Sequence, residues 1–553
     1  MPEQEEVQHA TVSLQSWSAS TLQCLHDLSK SLAITPQCLG VASKYFVGDE
    51  VRQEEAQRSL FAARILRNAA AGNQAGQDFI FSALLRHDLQ STLWHLTSYT
   101  ATQNESAVLL CQALMQAFAN CITNNESTAE LLWRRMGLDS PEVEGPSKLR
   151  EVGFVDLFIR LLELQSKGAR AAVEIVLDNL LLSKPARSYG LALTQQGCAL
   201  LGTVLRNAAA DLQADAQPDT SPSDLPDSIA IAYEMFSIIF SSGLCGRLLK
   251  GLQTTSSTGA PPANELEEED PPFNARQIAL LQMFDAYLVH GSSSGASSYS
   301  PPDSPSVESA SDDTGQDSRS DLVYLVSSFT NLAAYSVRLM RRLSAREAIA
   351  SDAVRTIQHS QLVQAHTGLI LHLQCLIHLC IAAAESVSAQ DEAISRGDRF
   401  QDKSSQVLET VSKEESVRGV VELLHSTSKF SPAISPFQNI VASDDSVASA
   451  PEGHVLTSTG QSRSTFVELE QTKQADRGGG GLQNLKRDLV RLLGVMSFVE
   501  PASSASARKT EQDRTARMAG LSRTKRVQDA VRESGGLLDV LNMTQLDENN
   551  PCE

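Results

Sequence analysis

Aromatic residues are scarce, at 5% of the chain, although apolar residues together reach 42%. Leu, Ala, Val and Ile carry the apolar content, which suits helix packed on helix with few large anchors. Basic charge is also short. Lys and Arg number 46 against 66 Asp and Glu, leaving a net charge of −20 and a pI near 5.1. Such a chain repels phosphate backbones, so nucleic acid is excluded as the expected partner. No Cys-x-x-Cys occurs among the nine scattered cysteines, and their odd number argues against a complete disulfide framework. Free, buried thiols in a reducing compartment are the simpler expectation. The opening Met-Pro-Glu-Gln-Glu-Glu is acidic where a secretory signal needs a basic start and an apolar core. A cytoplasmic location is therefore expected. No Gly-x-Ser-x-Gly elbow, Walker A glycine loop or dinucleotide fingerprint is found, and the glycine run 478–481 continues into Leu and Gln as a linker would.

Helical periodicity is what the chain has in quantity. Phe154, Leu157, Phe158, Leu161 and Leu162 fall on one helical stripe. Leu485, Leu489, Leu492, Leu493 and Met496 repeat the pattern, as do Leu322, Leu325, Val326, Phe329, Leu332 and Ala333. No run alternates with strand periodicity between hairpin turns. The stretch Gly368 to Ala384 approaches transmembrane length but carries His372, Gln374 and His378 and lacks basic flanks. It reads as a buried helix, with no membrane insertion expected.

At 553 residues the chain exceeds one compact core. Polar segments at 211–227, 253–275, 291–320 and 427–481 are rich in Ser, Pro, Asp, Glu or Gly, and they bury too little apolar surface to offset ordering entropy. The expected organisation is five parts. Residues 1–210 are N-terminal helical repeats, and 211–320 are helices broken by disordered acidic and Ser-Pro linkers. Residues 321–426 are central repeats, 427–481 a disordered linker, and 482–553 a C-terminal domain.

Two motifs recur. Leu66-Arg67-Asn68-Ala69-Ala70-Ala71 returns letter for letter as Leu205-Arg206-Asn207-Ala208-Ala209-Ala210, with looser copies around Asn120 and Asn331. The second motif is Gly, two apolar, one acid, two apolar, at Gly153, Gly419 and Gly536. There Gly permits a tight turn into a helix, and the acid sits in the first turn, where the dipole favours it. A Gly-led helix and an Asn-bearing helix match the two long helices of an armadillo-type repeat, which must stack to bury its apolar face. The expected fold is an all-α, armadillo-like superhelix with long disordered insertions. Asn68, Asn120, Asn207 and Asn331 then have two readings. They line a groove that binds a partner's backbone, or each satisfies neighbouring groups inside the array.

Three blocks carry a family resemblance. Lys486-Arg487-Asp488-Leu489-Val490-Arg491-Leu492-Leu493-Gly494 resembles the opening of the C-terminal domain of the ataxin-10 family, in its fungal form. Arg526 to Gly536 is similar to that domain's next block, and Asp547 to Pro551 to its third. The resemblance implies a non-enzymatic, cytoplasmic, armadillo-like scaffold or adaptor with a role in cytokinesis, which binds proteins and needs no cofactor. Two departures stand out. Residues 499–523 interrupt the domain where the family runs on directly, and retained intron sequence explains them most simply, a mobile insertion being the alternative. The chain also stops at Glu553 where the family continues. The Gly536 helix would then leave Leu537, Val540 and Leu541 uncovered, an apolar edge for self-association.

Chemistry is sparse by comparison. His372, Cys375, His378 and Cys380 form the one metal-like cluster, but their spacing drifts round a helix and does not converge on an ion. No catalytic or metal-ligating residue is expected. The alternative function is a dispersed-site hydrolase or a copper-handling protein. Ser300-Pro and Ser304-Pro in the acidic 291–320 segment are candidate phosphorylation sites. Basic residues from Arg508 to Arg526 form either an import or acidic-partner patch or a solvated segment.

Overall fold

The computed structural model describes residues 49–86, 89–138, 153–215, 227–254, 273–293, 314–345, 352–389, 407–430, 480–497 and 511–543. Among these residues no strand occurs and 89% are helical, so the all-α expectation holds. The chain forms two compact units. Unit one takes residues 1–265, 275–287 and 307–321, and unit two takes 266–274, 288–306 and 322–553.

Unit one is built from α1 (Asp49–Ala70), α2 (Gln74–Arg86), α3 (Leu89–Leu96), α4 (Tyr99–Thr102), α5 (Glu105–Ile122), α6 (Glu126–Met136) and α7 (Phe154–Leu162). It continues with α8 (Lys167–Ser183), α9 (Arg187–Leu193), α10 (Gln195–Asp215), α11 (Asp227–Ser241), α12 (Cys245–Thr254) and the start of α13 (Ala275–Ser293). The starts are encoded locally. Asn104 accepts from the Ser106 N–H at 2.9 Å, Ser166 from the Ala169 N–H at 3.3 Å, and the Gly153 N–H donates to Asp156 Oδ2 at 3.2 Å. α6 stops at Gly137, whose φ of 70° is the left-handed conformation that glycine adopts without a Cβ clash.

Helix ends are closed by side chains from other elements. The Asn120 amide on α5 donates to the Arg67 carbonyl in the last turn of α1 at 2.8 Å. Gln77 on α2 donates to the Asn120 and Thr123 carbonyls at 2.9 and 3.1 Å. Asn207 on α10 donates to the Leu162 carbonyl, the last of α7, at 2.7 Å. The final four carbonyls of a helix have no intrahelical donor, so each bond satisfies a group that burial would otherwise penalise. The few aromatics gather at joints: Phe81, Phe118 and Phe154 stack in sequence with centroids 5.1 and 6.1 Å apart, and Phe158 meets Phe154 edge to face at 6.0 Å, tying α2, α5 and α7.

Unit two contains the end of α13, most of α14 (Thr314–Ala345), α15 (Asp352–Ala389), a turn of helix at 407–411, α16 (Glu414–Phe430), α17 (Gly480–Ser497), α18 (Glu511–Glu533) and α19 (Leu537–Met543). α17 packs on α15, α16 on α17 and α18, and α19 on α16 and α17. The Leu485–Met496 stripe is buried, as its period requires. A Cβ at Gly536 would meet Val421 at 2.6 Å, so glycine is what lets the chain enter α19 against α16.

Several boundaries differ from the sequence expectation. Composition marks where the chain is polar, not where packing ends: α10 packs on α11 although 211–227 separates them, and α16 packs on α17 although 427–481 does. Helix α14 begins at Thr314, so 314–320 is helical despite its polar composition. Helix α18 begins at Glu511, inside the span 499–523 that shows no amphipathic period. Its N-terminal half is rich in good helix formers (Glu511, Gln512, Arg514, Ala516, Arg517, Met518 and Ala519), and the buried stripe starts only at Thr524, Val527 and Ala530. Gly419 does not open a helix. α16 starts five residues earlier, with Glu414 and Glu415 in its first turn, because buried Ser416 and Val417 extend it. At Gly153 and Gly536 the motif does open a helix.

Candidate functional site

The long helices of unit one form a ledge. α5 packs on α1, α8 on α5, and α11 on α8. They begin at Asp49, Glu105, Lys167 and Asp227, roughly sixty residues apart. α5 and α8 run parallel and in step. A Cβ at Gly168 would collide with the Gln112 side chain, and eleven residues further along each helix the Asn179 amide donates to Thr123 Oγ1 at 3.2 Å. Between α1 and α5, Arg67 Nη1 donates to Gln116 Oε1 at 2.9 Å.

The outer faces of these helices mix exposed aliphatics with amides. Leu109, Gln112, Gln116 and Asn120 share one face of α5, and Gly168, Ile175, Asn179 and Leu182 one face of α8. Leu109, Ile175 and Leu182 are exposed, as is Phe61 on α1. The recurring asparagine motif points to Asn120 and passes over Gln112, Gln116 and Asn179. The signal for Gln112 and Gln116 was available as amides at i, i+4 in an otherwise apolar helix.

The four asparagines do not play one role. Asn120 and Asn207 are spent on helix ends as described, Asn207 being buried. Asn68 is half-buried, and its Oδ1 accepts from Arg67 Nε at 3.2 Å. Asn331 belongs to unit two and is exposed. Local satisfaction, the second of the two readings, describes Asn120 and Asn207. Ser300 and Ser304 lie outside the described residues.

Beneath the ledge lies a buried polar cluster. Glu174 on α8 is 2% exposed and its Oε2 has no hydrogen-bond partner. Burial pushes its carboxyl up to about 7, with Arg170 opposing and Asp211 adding to the rise. Arg170 itself pairs with Asp211 at 3.3 Å, and Ser228 donates to the other Asp211 oxygen at 3.1 Å. One turn on, burial and then Glu234 of α11 raise Asp178 to about 7. Nearby, the Arg187 guanidinium is buried. It donates to Glu130 at 2.9 Å, Ser183 Oγ at 2.6 Å and the Leu180 carbonyl at 3.0 Å, and it lies 5.7 Å from the Trp133 ring centroid. That network fastens α6, α8 and α9.

In unit two the metal-like cluster on α15 is engaged otherwise. His372 is fully buried, with Nδ1 at 2.8 Å from the Gly368 carbonyl and Nε2 at 3.2 Å from Ser328 Oγ. Its ring lies against Phe273 and Phe329, and burial lowers its pKa to about 4. Burial raises the Cys380 thiol to about 12. Among the described residues no group of three His, Cys, Asp or Glu side chains is placed to hold a metal ion. Both α5 and the 358–384 part of α15 are long and apolar enough to cross a membrane, and each has more than half of that span buried within the protein. On α19, Leu537, Leu538 and Leu541 are 51%, 70% and 50% exposed. No protein-family model matches this chain, and no curated protein matches it.

Proposed function

We propose that this chain is a non-enzymatic, armadillo-like scaffold or adaptor that binds protein partners. The observation that carries the reading is the ledge of α1, α5, α8 and α11, whose recurring helices expose Leu109 and Ile175 beside the amides of Gln112, Gln116 and Asn179. Exposed aliphatics beside amides on a rigid helical support suit the burial and hydrogen bonding of another polypeptide. The proposal extends to regulation of cytokinesis in the cytoplasm, and there it rests on the resemblance of residues 486–494 and 526–536 to the ataxin-10 family.

The test is affinity purification from dividing cells with the full chain and with Leu109→Asp and Ile175→Asp variants that melt like the wild type. Partners should be recovered with the wild type and lost with both variants. Recovery of the same partners by all three chains would overturn the ledge as the binding face. Turnover of a substrate by purified protein, abolished by a point mutation, would overturn the non-enzymatic reading.

A further inference from the structure

We propose that Ser344, in the last turn of α14, is a phosphorylation site for a basic-directed protein kinase, and that its phosphate takes Arg341 away from Glu422 of α16. All three residues belong to unit two.

The recognition element is in the sequence. Arg-Arg occurs twice in the chain, at Arg134-Arg135 and at Arg341-Arg342, and only the second pair has a serine two residues on. A kinase whose substrate groove is lined with carboxylates takes guanidinium groups placed three and two residues before the acceptor hydroxyl. Arg341-Arg342-Leu343-Ser344 has that spacing, and no acid lies between Arg338 and Arg346 to weaken it.

The fold leaves this segment accessible. Arg341, Arg342 and Ser344 are all exposed. Ser344 Oγ donates to the Met340 carbonyl of its own helix at 2.9 Å, a bond that competes with the backbone for the same acceptor. α14 ends at Ala345, the next residue. A kinase reads its substrate as extended chain, and here only the final turn, whose carbonyls have no intrahelical donors, has to open. Arg341 Nη2 pairs with Glu422 Oε1 at 2.8 Å, but the two side chains are 65% and 56% exposed. Water screens such a pair, so releasing Arg341 costs little.

The donor is the kinase's magnesium-bound ATP. Ser344 Oγ attacks the γ-phosphorus, the new O–P bond forms as the bond to the β–γ bridging oxygen breaks, and ADP leaves. The hydroxyl proton passes to the kinase's catalytic carboxylate. The product carries about two negative charges. The C-terminus of α14, equivalent to about half a negative charge, repels it. Arg341, one turn back on the same face, and Arg342 attract it with a full positive charge each. Attraction prevails, and at Arg341 the phosphate outcompetes the singly charged Glu422. A tie between α14 and α16 is thereby exchanged for one within α14.

The experiment treats the full chain with magnesium-ATP and the catalytic subunit of the cyclic-AMP-dependent protein kinase, a basic-directed enzyme. Fragmentation of the product should place phosphate on Ser344, and Ser344→Ala should lower the gain in intact mass by one phosphate. Arg341→Gln and Arg342→Gln should each reduce kcat/KM for Ser344 by about tenfold. Each variant changes an exposed residue, and its fold is checked by thermal melting. Phosphorus NMR of the phosphorylated chain should place the second ionisation of the phosphate below its ordinary value of about 6, and Arg341→Gln should return it toward that value. Chain purified from dividing cells under phosphatase inhibition should carry the same phosphate. An unmodified Ser344 in either preparation, or a rate that neither arginine variant alters, would overturn the site. An ionisation that is the same in the wild type and in Arg341→Gln would overturn the exchange at Arg341.

Discussion

Replacing Glu174 by Gln should make unit one less sensitive to rising pH. Glu174 is almost wholly buried, its Oε2 has no hydrogen-bond partner, and its nearest cation, Arg170, is committed to Asp211. Burial raises its carboxyl from an ordinary 4.5 to about 7. The folded chain therefore binds this proton more tightly than the unfolded chain does. The stabilisation is complete below the unfolded value and is lost as pH rises through 7. The shift corresponds to about 3 kcal/mol in all, of which about 2 kcal/mol falls between pH 5.5 and 8.5. Gln keeps the shape and cannot ionise. The wild type should thus lose about 2 kcal/mol more than Glu174→Gln between those pH values. The assay is urea unfolding read by hydrogen exchange in α8, with both proteins compared at the same pH so that intrinsic exchange cancels. Asp178 titrates in both and drops out of the difference. A gap between the two proteins that stays constant from pH 5.5 to 8.5 would refute the assignment of a protonated, buried Glu174.

Arg187→Ala should destabilise unit one by about 2 kcal/mol in urea melts, since it leaves Glu130 and the Leu180 carbonyl without their buried donor; a loss within about 0.5 kcal/mol, typical of a surface change, would show the network to be ornamental. Asn207→Ala should cost about 1–2 kcal/mol by stranding the Leu162 carbonyl, whereas exposed Asn331→Ala should stay within about 0.5 kcal/mol. Equal effects at the two positions would contradict the end-closing role of Asn207. Leu538→Lys, on the most exposed part of the α19 edge, should shift any self-associated protein toward monomer in light scattering, with unchanged helicity; an unaltered mass distribution at every concentration would remove that edge as the contact.

Legibility in the sequence followed the range of the interaction. The stripes of α7 and α17 were readable because a helix buries residues three and four apart whatever it packs against, and both stripes are buried. Gly153 and Gly536 were readable as helix entries because a turn is local, and Gly419 misled because the pattern does not register buried residues upstream that prolong the helix. The asparagines show the limit most clearly. Two copies of Leu-Arg-Asn-Ala-Ala-Ala identify a recurring position, but Asn207 closes α7 from 45 residues away, and nothing in its own hexapeptide names that carbonyl. Likewise Glu174 and Asp178 are visible as acids in an apolar helix, yet only the docking of α10 and α11 decides that one is sealed from water and the other faces Glu234. Helix period, turn chemistry and charge balance are set by neighbours along the chain, so the sequence determines them alone. Which end a side chain closes and which carboxyl is sealed from water depend on groups brought together from 40 to 60 residues apart, and only the tertiary structure decides them.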